Sequence, residues 1–272
     1  MIRAMYSGIT GMKNFQTKLD VIGNNIANVN TFGYKKGRVT FQDLVSQQLA
    51  GATAPGDVRG GMNPRQVGLG SAVATVDTIG TQGSLQTTGR PLDLGISGDG
   101  LFEVRDLEGN SYYTRAGNFY LDQNGSIVNP DGLYLVGMGG QAPITLFPPG
   151  GNINDVKSFS IAADGTINVI NATGDLNVAG QIGIVKFNNP EGLEKVGGNT
   201  FIQSANSGAP LAMAVPGEQG AGMLVAGTLE MSNVDLSEEF TEMIVAQRGF
   251  QANTRIITTS DEILQEIMNL KR

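Results

Sequence analysis

From Leu229 to Arg272 the chain contains no proline, and apolar residues return every seven positions: Leu229, Leu236, Met243, Phe250, Ile257 and Leu264. A sustained period of seven demands a long helix whose apolar stripe is covered by another helix. A second row, four residues on, holds Phe240 and Met268 but also the polar Gln247, Thr254 and Asp261. The stripe is therefore softened in its middle, as suits contacts that tolerate water or sliding. Ser232, Asn233 and Asp235 offer N-caps, and Glu238, Glu239 and Glu242 follow where a helix N-terminus favours carboxylates. Lys271 and Arg272 lie at the opposite end, where cations are favoured.

The other end of the chain matches. Met5, Met12, Leu19 and Ile26 are spaced by seven, as are Gly8, Phe15, Ile22 and Val29. A helix of about thirty residues is roughly 45 Å long. The natural expectation is an antiparallel pair made by the two termini, with the middle of the chain carried beyond it. Two core helices of an ordinary globular domain would show the same spacing. Charge favours the pair: residues 1–50 hold six basic side chains against Asp20 and Asp43, whereas residues 230–272 hold eight acidic against four basic. Exposed pairs of this kind contribute only ~0–1 kcal/mol each.

Composition removes whole classes of function. With no Cys, His or Trp among 272 residues, disulfides, Cys/His metal sites, His general bases and Cys nucleophiles are all excluded. A net charge of −7 argues against nucleic acid as a partner. No apolar run approaches the ~20 residues of a membrane span, so no membrane insertion is expected. Residues 1–4 lack a basic segment leading into an apolar core, so no cleaved secretory signal is expected.

The 39 glycines and the 16 % charged fraction point to an all-β middle with tight turns. Residues 72–79 alternate as a strand, and short strands are expected at 101–105, 112–115, 119–122, 126–128, 158–162, 167–170 and 182–187. The turns between them are chemically explicit at Glu108-Gly109-Asn110, Gln123-Asn124-Gly125 and Pro130-Asp131-Gly132. Residues 34–72 read as an extended connector rich in Gly and Pro, with one short helical turn formed by Phe41, Leu44, Val45 and Leu49. The expected fold is α+β: N- and C-terminal helices (1–33 and 233–272) paired as a coiled coil, the connector (34–72), and a β-rich body (73–232).

Catalytic and cofactor chemistry finds little support. Gly95 to Gly100 is glycine-rich but does not open a helix after a strand, so it is a poor phosphate loop. Asp122 to Gly125 lacks the ligand spacing and closing glutamate of a calcium loop. Asp93, Asp99 and Glu103 have no catalytic partner type nearby. No enzyme activity, metal or cofactor is expected.

The run Leu19-Asp20-Val21-Ile22-Gly23-Asn24-Asn25-Ile26-Ala27-Asn28-Val29-Asn30-Thr31-Phe32-Gly33-Tyr34-Lys35 closely resembles the N-terminal signature of bacterial flagellar rod and hook proteins. Ser232-Asn233-Val234-Asp235-Leu236, followed by Met243-Ile244 and Ala246-Gln247-Arg248, resembles the C-terminal signature of the same family. Signature residues are thus Asn24, Asn25, Asn28, Asn30, Gly33, Tyr34, Asn233, Val234, Gln247 and Arg248. Ser97 to Phe102 and Tyr113 to Phe119 resemble the family's central domain. Gly61 to Gly70 resembles the hook branch more than the distal rod branch. With no sizeable domain inserted between 140 and 180, the chain is a short member.

The resemblance implies a structural subunit of the flagellar hook, a helical tube that joins rod to filament and bends as a flexible joint. The alternative is the distal rod, and from a different class a soluble β-domain binding or adhesion module. It further implies paired helices lining an inner tube and a β domain outside. The assembly seam would comprise Met5, Met12, Phe15, Leu19, Ile22, Ile26, Leu236, Phe240, Met243, Phe250, Ile257 and Leu264. Implied partners are other copies of the chain, distal rod, hook cap and hook–filament junction proteins, and the flagellar type III export apparatus. The implied location is the extracellular flagellum.

Overall fold

The computed structural model describes residues 2–55, 60–146, 156–171 and 174–270. It is a mixed α+β structure with one long helix near each end and strands between them. The chain divides into two compact units, which it crosses between four times: one of residues 1–27, 37–78 and 235–272, the other of 28–36 and 79–234.

The first unit holds α1 (Ile2–Ala27) and α2 (Leu236–Leu270). Asp235 caps α2, its Oδ1 accepting from the Ser237 N–H at 2.8 Å and the Glu238 N–H at 3.4 Å. The helix therefore starts past Leu229, which instead lies buried in the strand Thr228–Glu230 of the second unit. The two helices run antiparallel. Gly8 faces Ile257 and Gly11 faces Asn253, while Gly249 faces the Phe15 ring. A Cβ added at Gly249 would stand 2.5 Å from Phe15 Cζ, so the ring would have to shift to admit any other residue. Farther along, Lys18 pairs with Glu242, and Asn25 with Glu239.

Four strands complete this unit: β1 (Gly37–Asp43), β2 (Ser46–Ala50), β3 (Arg65–Gly68) and β4 (Ser71–Thr78). β1 pairs antiparallel with β4 from Gly37↔Thr78 to Asp43↔Ser71, with a bulge at Thr40/Phe41. β2 pairs with β3, and a bridge joins Thr53 to Met62. Together they form one long hairpin ribbon as far as the Thr53–Met62 bridge; residues 56–59 lie outside the described residues.

This corrects the expectation of an extended connector with a helical turn. Phe41, Leu44 and Val45 have helical spacing, but pairing with the alternating β4 satisfies the backbone over a longer stretch, and that overrides the local period. It also moves the strand at 71–78 out of the β body and into the helical unit. The ribbon root is tied to α1: Asn14 Nδ2 donates to Ser71 Oγ at 2.8 Å, and the Phe15 and Phe41 rings sit 6.2 Å apart.

The second unit is β-rich. Its largest sheet runs Glu194–Gly197, Thr200–Ile202, Ser111–Thr114, Leu101–Arg105, Tyr134–Leu135, Ile127–Val128 and Tyr120–Leu121, with Ile184–Val185 also paired to Leu101–Arg105. A three-stranded sheet joins Val156–Ile161, Thr166–Asn171 and Leu176–Gln181. Leu94–Ser97 pairs with Met223–Ala226, and Leu85–Thr87 with Thr228–Glu230. One core joins the large and three-stranded sheets, with Phe102, Phe119, Ile127, Leu135, Ile167 and Ile184 fully buried. Phe102 and Phe119 meet edge to face, their centroids 5.3 Å apart.

Candidate functional site: an apolar helix face and a buried ionic anchor

The inward face of α2 is a double row. Glu239, Met243, Ala246, Phe250, Asn253, Ile257, Ser260 and Leu264 are buried or half-buried, in alternating steps of four and three. Of the sequence-derived seam, Met243, Phe250, Ile257 and Leu264 lie on this face. On α1, Met5, Met12, Phe15, Leu19 and Ile26 are half-buried and Ile22 is buried. Leu236 and Phe240 are not brought into it; they are 39 % and 51 % exposed. The second row is therefore Glu239, Ala246, Asn253 and Ser260, one residue before the row expected from Phe240, Gln247, Thr254, Asp261 and Met268. Small and polar residues occupy it: Gly8 and Gly11 of α1 face Asn253, and Asn25 bonds Glu239.

The outward side of α2 is apolar over much of its length. Ile244, Val245, Ile256, Ile263 and Ile267 are 43–59 % exposed, and Met268 and Leu270 more so. On α1, Tyr6 and Ile9 are exposed as well. Among the described residues these side chains are only partly covered, which leaves a contiguous apolar strip open.

The signature residues fall into three groups. Asn25 is buried and clamps β1: its Nδ2 donates to the Gly37 carbonyl and its Oδ1 accepts from the Gly37 N–H, both at 2.9 Å. One side chain thereby makes both hydrogen bonds of a ladder pair. Asn24 is exposed on the last turns of α1.

In the second unit, Asn28 shapes the loop after α1, its Oδ1 and carbonyl accepting from the Thr31 hydroxyl and N–H at 3.1 Å each. Asn30 lies exposed in this loop. Gly33 has φ 69° and is pressed on Arg115 and Ala116; an added Cβ would lie 2.7 Å from the Ala116 nitrogen, so no other residue fits. The Tyr34 ring lies 5.1 Å from Lys195 Nζ. Asn233 joins three segments. Its Oδ1 accepts from the Lys36 N–H at 2.7 Å, and its Nδ2 donates to Ile79 and Thr81. Val234 follows, its N–H donating to Ser232 Oγ at 3.3 Å. Gln247 and Arg248 form the third group, exposed on α2 with no side-chain hydrogen bond or ion pair among the described residues.

Sequence reasoning missed the feature at the centre of the second unit. Glu230 is 1 % exposed and accepts from Lys35 Nζ at 2.6 Å, Arg115 Nε at 2.5 Å and the Gly83 N–H at 2.9 Å. Arg115 also donates to the carbonyls of Ile96, Gly98 and Gly100, and Lys35 to that of Thr81. Burial alone would raise the Glu230 carboxyl, but Arg115 and Lys35 more than offset it and hold it below the usual carboxylate range. Burial lowers the Lys35 ammonium, with Glu230 opposing. Three buried ions from segments far apart in sequence pin the loop at 28–36, the turn at 98–100 and the strand leading to α2. The only local signal was a lone Glu in the apolar run Leu229-Glu230-Met231.

This arrangement holds segments in place; it offers no reacting group to a substrate. Asp93 is taken by Thr88 and Arg90, and Glu103 by Arg105 and Ser111. Among the described residues no group of side chains has a metal-ligand arrangement, and no helix is long and apolar enough to cross a membrane.

Comparison with known proteins agrees at both ends and in the middle. Residues 5–35 match the family described as flagella basal body rod protein, 95–169 the flagellar hook protein FlgE/F/G D1 domain, and 225–270 the flagellar basal body rod FlgEFG protein C-terminal region. Over the full length of both chains, the sequence is 57 % identical to the flagellar basal-body rod protein FlgG of Bacillus subtilis and 38 % identical to that of Borreliella burgdorferi. It is 31 % identical to the flagellar hook protein FlgE of Borreliella burgdorferi, again across all of both chains but over 443 aligned positions. The chain therefore belongs to the flagellar rod and hook protein family, whose members are structural proteins and not enzymes.

Proposed function

We propose that the chain is a subunit of the flagellar basal-body rod, in its distal segment, and that copies assemble into a helical tube. The observation that carries self-assembly is the outward apolar side of α2, with Ile244, Val245, Ile256, Ile263 and Ile267 about half exposed. Contacts that repeat head to tail without closing give a filament. In this reading α1 and α2 form a coiled coil, and neighbouring helices cover the outer side. The flagellum is the location, with adjoining axial proteins and the flagellar type III export apparatus as partners.

The rod is preferred over the hook because rod relatives align over 272 and 275 positions, essentially this chain's own length. Hook relatives align over 443 and 465 positions and are less than a third identical. The hook-like run Gly61 to Gly70 is outweighed by that whole-chain agreement. Electron microscopy of the assembled chain tests the choice: straight, stiff tubes are expected, and curved, compliant tubes would return the assignment to the hook.

A further inference from the structure

The second unit carries an open cavity of about 280 Å³ lined by Thr31, Phe32, Ala116, Asn118, Pro130 and Asp131, among others. Its parts are held with care. Asn129 is buried, and its Oδ1 accepts from the N–H groups of Asp131 at 3.0 Å and Leu133 at 2.8 Å, fixing the turn that presents Asp131. Opposite, Asn199 adopts φ 58°, uncommon for a residue with a side chain, and from there its Nδ2 donates to the Phe32 carbonyl at 2.7 Å. Gly198 beside it lacks the Cβ that would stand 2.8 Å from Asp131 Oδ2. The Asp131 carboxylate and the Asn118 carboxamide make no side-chain hydrogen bond or ion pair among the described residues. The cavity thus offers Phe32, Ala116 and Pro130 as apolar wall and two acceptors at its polar side. That chemistry suits an arginine, whose stem lies on apolar surface while its fork donates to two oxygens.

The same chain exposes such a group. Arg65 lies on β3, is exposed, and has no ion pair or side-chain hydrogen bond among the described residues. Val67, two residues on, shares its face of the strand and is 38 % exposed. A two-stranded ribbon carrying Val45, Leu49 and Val67 to solvent is marginal without a covering surface. We propose that the cavity binds Arg65 of a second copy, with Val67 against the apolar wall. Each copy then offers one cavity and one arginine, a heterologous contact that propagates instead of closing. The proposal rests on the self-assembly reading above and names one of its contacts.

The native chain has no cysteine, so cross-linking can read the contact directly. Copies carrying Arg65→Cys are mixed with copies of distinguishable mass carrying Asp131→Cys, assembled and mildly oxidised. Disulfide-linked mixed dimers in excess over same-residue dimers are expected, and over a Lys157→Cys control. In parallel, Asp131→Arg raises the concentration needed for assembly by about tenfold or more without changing the monomer's circular dichroism, and adding Arg65→Asp restores it. Mixed dimers no more frequent than the control, or Asp131→Arg assembling like the unaltered chain, would overturn the proposal. So would a block that Arg65→Asp fails to relieve, since the cavity would then hold some other group. Assembly of the unaltered chain, followed by sedimentation, separates the two readings. If it assembles and no cross-link forms, only the cavity contact fails; if it never assembles, self-assembly fails and this contact falls with it.

Discussion

The two units differ in what holds them together. The β-rich unit has a closed core, with Phe102, Phe119, Ile127, Leu135, Ile167 and Ile184 fully buried and the charges of Lys35, Arg115 and Glu230 buried and paired, while Leu107, Leu176, Val178 and Val196 stay exposed singly or in pairs on its surface. The helical unit buries one side of α2 against α1 and leaves Ile244, Val245, Ile256, Ile263 and Ile267 facing outward. The first pattern places the unit's cohesion in its own buried core. The second is that of a piece finished by neighbours. Substitutions should therefore separate cleanly, with those in the β-rich unit read in monomer stability and those on the outer side of α2 read in assembly.

The largest effects are expected in the β-rich unit. Glu230→Ala leaves Lys35 and Arg115 buried without their carboxylate and should cost about 3–5 kcal/mol in urea unfolding. Phe102→Ala should cost a similar ~3–5 kcal/mol through lost burial and a cavity. Acid gives an independent reading. The Glu230 carboxyl lies below its ordinary range, so its stabilisation is complete above the unfolded carboxylate pKa and is lost as pH falls through the folded value. Unfolding midpoints measured across the carboxylate range should fall with acid, and this part of the slope should vanish in Glu230→Gln.

Ile263→Asp with Ile267→Asp sharpens the contrast. Both positions are half exposed, so monomer stability should move by only ~0.5 kcal/mol per site, while assembly is lost. Ile257→Asp, on the inner row, should lower both. Smaller still is Gly249→Ala. A Cβ pressed on the Phe15 ring costs ~1–3 kcal/mol, while helix propensity returns ~1 kcal/mol. A net loss near 1 kcal/mol is expected in the helical unit. Lys18→Ala should cost no more than ~1 kcal/mol, because its partner Glu242 is about half exposed and the pair is screened by solvent.

What could be read from sequence follows the same division. The row Met243, Phe250, Ile257 and Leu264 was legible because large apolar residues at a fixed period leave few alternatives. Its partner row was displaced by one because Glu239, Ala246, Asn253 and Ser260 carry no apolar signal; their burial depends on the facing helix, where Gly8 and Gly11 approach Asn253 and Asn25 bonds Glu239. The ribbon was missed for a related reason. The pairing of 37–43 with 71–78 is non-local, and local spacing in 41–49 favoured a helix. The ionic anchor joins residues 35, 115 and 230, each unremarkable among its sequence neighbours. Several hairpin turns were plain from Asn-Gly and Asp-Gly pairs, because their chemistry is local.

The most direct test is sedimentation and electron microscopy of the purified chain beside the Ile263→Asp/Ile267→Asp variant, with circular dichroism on both. The expected result is straight tubes from the unaltered chain and a folded, non-assembling monomer from the variant. An unaltered chain that stays monomeric at high concentration, or a variant that forms the same tubes, would contradict self-assembly through the outer side of α2.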